Sequence, residues 1–89
     1  MSCFVYILYS ASLDLYYIGC SDDPEKRLSK HLSTHKGFTS KAKDWVICYT
    51  ESFLDKKEAL KREKQLKGWK NRLRIEELIK KTSGLKHPD

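Results

Sequence analysis

Tyr16-Tyr17-Ile18-Gly19 is followed eight residues after its glycine by Arg27 and twelve after it by His31. Phenols, a guanidinium and an imidazole are thereby confined to one extended segment and the helix behind it. Phenols and carboxylates handle protons or bind metal, and a guanidinium neutralises a phosphoryl group as charge builds on it. The set suits hydrolysis of a phosphodiester, so nuclease chemistry is the expectation these residues raise.

The elements that must position them follow from local pattern. Phe4-Val5-Tyr6-Ile7-Leu8-Tyr9 is β-branched and aromatic and predicts a buried strand; Tyr16 to Cys20 predicts a second, joined to the first as a hairpin. Ser21-Asp22-Asp23-Pro24 offers an acidic N-cap with proline at the first helical position, opening a helix that runs to about His35. On it Leu28 and Leu32 face the core, and Arg27 and His31, four apart, share a flank. Lys36 to Lys43 has no period and reads as a basic loop holding Lys36, Lys41 and Lys43. Trp45 to Thr50 reads as the third strand. Asp55 with Glu58 forms a capping box for a second helix reaching Lys67, stopped by Gly68. Trp69 to Lys81 predicts a third helix with Leu73, Leu78 and Ile79 inward. The expected fold is α+β, a small three-stranded, mainly antiparallel sheet flanked by helices in the order ββαβαα. It makes one domain over residues 1–81 and a flexible tail over 82–89.

The second helix holds a conflict. At 100° per residue Ala59, Leu60 and Leu66 mark its apolar face, and Glu63 falls within that stripe. A carboxylate there is costly unless paired or bound to a cation. Two readings stand: a structural ion pair with Arg27, or a metal ligand.

Charge narrows the partner. The chain carries a formal net charge of +6, and residues 55–81 hold eleven Lys or Arg against five Asp or Glu, so the excess lies on the C-terminal helices. A basic face draws in polyanions and releases counterions on contact, which makes DNA the first partner to consider, through Lys61, Lys64, Lys67 and the basic loop. The longest apolar run, Phe4 to Tyr9, is too short to span a bilayer, and three cysteines without a CxxC pair suit reduced thiols. A cytoplasmic protein with no membrane contact is expected.

The tyrosine motifs, Arg27 and His31 on one helix and the lone Glu63 on the next resemble the GIY-YIG endonuclease superfamily, over roughly Phe4 to Ile79 and in its small stand-alone bacterial form. Val5-Tyr6-Ile7 stands where the first element lies, and Tyr17-Ile18-Gly19 is an intact copy of the second. The resemblance implies a DNA endonuclease using one divalent ion, Mg²⁺ or Mn²⁺, leaving a 5′ phosphate and a 3′ hydroxyl, with repair or recombination as its setting. It implies Tyr6 and Tyr17 as active-site phenols, Arg27 as the phosphate-stabilising arginine, His31 as the auxiliary helix residue and Glu63 as the metal ligand. Two positions depart: Phe4-Val5 precedes Tyr6 without the motif's glycine, and Cys20 follows Gly19 where many members have lysine or histidine. Lys26, Lys30 and Lys41 are candidates for the missing cation. Asn71 lies only eight residues beyond Glu63, too near for the downstream asparagine of larger members. The expected DNA is structure-selective or non-specific, with targeting left to a protein partner. The alternatives are a catalytically weak nucleic-acid-binding module of the same fold and a protein-interaction module.

Overall fold

The computed structural model describes residues 2–33 and 37–86, apart from the side chains of residues 38, 39 and 82–86. The expectations placed on His35 and Lys36 lie outside the described residues. Strand β1 (Cys3–Ser10) is the middle of a three-stranded sheet, between β2 (Leu15–Ser21) and β3 (Val46–Phe53), and both pairings are antiparallel. A middle strand covered on both faces needs apolar side chains at successive positions, which is why β1 reads as a continuous apolar run rather than an alternation.

Alternate residues along β1 divide between two cores. Val5 and Ile7 pack with Tyr49, Ala59, Leu66 and Ile75 beneath helices α2 (Lys56–Trp69) and α3 (Arg72–Lys86). Tyr6 and Leu8 pack on the opposite face with Trp45, Tyr17, Leu28 and Leu32, beneath helix α1 (Pro24–Ser33). Val5, Ile7, Leu8 and Leu66 are at most 1% exposed, and such burial contributes about 1.5–3 kcal/mol per side chain.

Helix α1 begins as its sequence dictates: the Asp23 carboxylate accepts from the Lys26 amide at 3.1 Å and Pro24 takes the first position. The Asp55 carboxylate likewise accepts from the Glu58 amide at 2.9 Å and opens α2.

Several boundaries differ from expectation. The basic loop contains a single 3₁₀ turn, Phe38–Lys41. Helix α2 does not stop at Gly68. It continues through Trp69, whose ring lies under the guanidinium groups of Arg62 and Arg74 at 5.6 and 4.2 Å, and ends at Lys70 in the left-handed conformation, φ 48°. Helix α3 starts at Arg72 and runs to Lys86, past the expected end at Lys81. Asn71 caps it, its Oδ1 accepting from the Leu73 amide at 3.0 Å, so this asparagine serves the backbone. Leu60 and Leu73, expected inward, are 45% and 71% exposed, and Ile75 takes the buried place. Helical period gives a face but not how much of it a small sheet can cover.

Candidate active site

Tyr6 lies opposite Gly19 in the β1–β2 register. Its ring crosses β2 so closely that a Cβ on residue 19 would lie 2.4 Å from the phenolic oxygen. Gly19 is therefore required by contact: the Tyr6 side chain occupies the space that any other residue would fill. Arg27 and His31 sit one turn apart on α1, with Leu28 and Leu32 anchoring the helix to the core between them. The Tyr6 hydroxyl reaches His31 Nε2 at 3.1 Å, and the Tyr17 ring meets the imidazole edge-on, centroids 5.1 Å apart.

Electrostatics fixes the protons. Burial pushes the Tyr6 phenol up to about 12, the neighbouring Tyr17 and the charge of Glu63 act in the same direction, and the Arg27 guanidinium opposes them as cation and hydrogen-bond donor. Burial also lowers His31, and the Arg27 charge lowers it further. Near neutral pH Tyr6 thus keeps its proton and His31 favours its neutral form, and the imidazole tautomer decides which of the two donates across their hydrogen bond.

Glu63 does not pair with Arg27. Its carboxylate, 18% exposed, accepts a salt bridge from Lys67 at 3.0 Å, one turn on along α2. The i,i+4 spacing made that pair legible, but Lys67 reads from sequence as a DNA contact. The Glu63 charge is felt at both Tyr6 and the Cys20 thiol, so α2 places this residue within electrostatic reach of them. The Glu63 carboxylate is a hard oxygen donor. Among the described residues no three His, Cys, Asp or Glu side chains converge, so a cation at Glu63 would take its other ligands from water and phosphate. Mg²⁺ tolerates that arrangement and a structural Zn²⁺ does not.

Cys20 brings no positive charge after the glycine. Its thiol contacts Cys3 Sγ at 3.3 Å, and burial, then that hydrogen bond, push it up to about 12. The cation acting on it is Lys56, at the start of α2, a residue that sequence reasoning passed over because the two are 36 positions apart. Lys56 and Arg27 both line a pocket of about 390 Å³ that is also lined by both thiols. Of the expected DNA lysines, Lys41, Lys61 and Lys64 are exposed, and the Lys43 ammonium donates to the Leu32 carbonyl at 2.9 Å.

Two phenols of the sheet thus meet the imidazole of α1 beside Gly19, and the Arg27 and Glu63 charges both act on the Tyr6 phenol. The family model of the GIY-YIG catalytic domain matches residues 2–84, and the chain belongs to that family. Neither the comparison with curated proteins nor that with solved structures gives a match. The family's activity is endonucleolytic, its substrate DNA, and its members generally depend on a divalent metal. Among the described residues no helix is long and apolar enough to cross a membrane.

Proposed function

We propose that the protein is a Mg²⁺- or Mn²⁺-dependent DNA endonuclease using one ion, acting in the cytoplasm in DNA repair or recombination, with a partner protein choosing its targets. The observation that carries this reading is the convergence of Tyr6, Tyr17 and His31 at Gly19, with Arg27 close enough to shift two of them. Tyr17 takes the proton of the attacking water. Tyr6, protonated and hydrogen-bonded to His31, keeps the imidazole in place. Arg27 stabilises charge on the non-bridging oxygens, forking onto two of them as a lysine cannot. Glu63 would hold the metal, which would supply positive charge at the leaving 3′ oxygen. The half-exposed Lys67 holds that carboxylate until it is needed. Lys36, Lys41, Lys43, Lys61 and Lys64 bind the phosphate backbone.

The test is nicking of supercoiled plasmid with Mg²⁺ or with a chelator. Wild type should nick only with metal, and Arg27→Ala and Glu63→Gln should each lose about 100-fold or more in rate while melting near wild type. A variant that cuts normally removes its residue from the chemistry. DNA binding without nicking in wild type would favour the catalytically weak module.

A further inference from the structure

A groove of about 550 Å³ opens beside β2, on the side of α2 and α3. Its lining is mainly apolar, with Leu15, Ile18, Leu66 and Ile75; Tyr16 and Tyr17 of the edge strand border it, the Tyr17 ring itself packing on the α1 face, and the groove meets the candidate site through Lys67, the partner of Glu63. Its rim is cationic. Arg72 belongs to that rim but is committed elsewhere, donating to the Asp14 carbonyl and carboxylate and to Glu76. Lys70 is different. It occupies the left-handed conformation, where glycine is strongly favoured, although Gly68 two residues earlier has no positive φ to exploit. Among the described residues it has no ion-pair partner. A lysine kept where the backbone asks for glycine is a local conflict of the kind that marks function.

An apolar floor under a cationic rim complements a base joined to its phosphate, and the volume lies within the range of about 300–1,000 Å³ that holds small ligands. A base in a duplex cannot enter, because its faces are stacked. An unpaired base leaves the stack at little cost. We propose that this groove seats an unpaired nucleotide of the DNA strand being cut, its base on the apolar floor and its phosphate at Lys70 and Lys67. The domain thereby selects DNA with unpaired nucleotides beside the scissile bond. Because Lys67 also holds Glu63, a phosphate in the groove draws the ammonium off the carboxylate and makes Glu63 available as substrate arrives. The inference deepens the nuclease reading and rests on it for the position of the cut.

The experiment measures binding without divalent metal, so that nothing is cut. Two oligonucleotide duplexes carry 2-aminopurine at the same position, unpaired in one and paired in the other. Wild type should bind the unpaired form on the order of tenfold more tightly, with emission rising as the base moves to the aliphatic floor. Lys70→Gly and Leu15→Glu should bring the affinity ratio toward one. Lys70→Gly should also melt at or above the wild-type temperature, since glycine suits that conformation, which separates lost binding from lost folding. Equal affinity for the two DNAs in wild type, or a ratio unchanged in both variants, overturns the proposal. A preference seen in a protein that fails to nick with Mg²⁺ supports the groove and overturns the chemistry; nicking without preference does the reverse.

Discussion

One carbon atom at position 19 probes the site without touching any polar group. In Gly19→Ala the new methyl would meet the Tyr6 hydroxyl and ring carbon at about 2.5 Å, so the ring must leave and its bond to His31 must break. Overpacking of this kind costs about 1–3 kcal/mol; the melting temperature should fall accordingly, and nicking should fall much further than the fraction folded. A nicking rate that tracks stability alone would show that the Tyr6 position is unimportant. The proton acceptor is separable by pH. An isolated phenol titrates at about 10, so a phenolic base gives a single-turnover rate that climbs from pH 7 toward 9. His31, already held below its ordinary range by burial and Arg27, would instead give a rate flat across that interval. A flat profile, abolished in His31→Ala and kept in Tyr17→Phe, moves the role to the imidazole. At this scale the sequence was informative for side chains on a regular spacing, since Arg27 and His31 must share a helix flank. It was silent on the contact between Tyr6 and Gly19, which depends on strand register. The salt bridge of Lys67 was visible as a spacing but not as a choice between two partners.

Helix α2 is fixed to β3 by a staple away from the site: the Arg62 guanidinium donates to both oxygens of Glu51 at 2.9 and 3.0 Å, and the Tyr49 hydroxyl donates to the same carboxylate. Burial alone would raise Glu51, but the guanidinium and the hydroxyl outweigh it and leave the carboxyl below its ordinary value of 4.5. A carboxyl lowered in the folded state stabilises above its unfolded pKa, and the gain is lost as pH falls through the folded one. The wild-type melting temperature should therefore drop more steeply than that of Glu51→Gln as pH falls from about 5 to about 3; parallel curves would show that the staple adds nothing. The starts of both α1 and α2 were legible because caps are local chemistry. The end of α2 was not, because Trp69 is held by guanidinium groups from Arg62 and from Arg74 on the next helix, and tertiary contact of that kind overrides a glycine signal. Leu73 was misplaced for a related reason: α3 meets the sheet through Ile75, Leu78 and Ile79, and its first turn projects beyond it.

Across the molecule the charge excess on the C-terminal helices is the feature on which the proposed DNA binding rests. Affinity should fall steeply with salt and vary little with duplex sequence, as counterion release requires. Reversing Lys61 and Lys64 to glutamate, with Lys67 left beside Glu63, should weaken binding and flatten that salt dependence; an unchanged slope would place the phosphate contacts elsewhere. The fold class and element order were legible in the sequence because a doubly covered strand, two capped helices and a hairpin leave few arrangements for 89 residues. Arg72 adds a matter of timing. It ties the hairpin turn at Asp14 to α3 across 58 positions of chain, and the Tyr16 hydroxyl reaches Glu76 across 60. Contacts so distant in sequence form after local ones, because the intervening chain must close first. The hairpin bearing both phenols assembles from near neighbours, whereas the groove beside it exists only after the C-terminal helix has docked. An opening of that helix would therefore remove the groove while leaving the strand pair that bears both phenols standing.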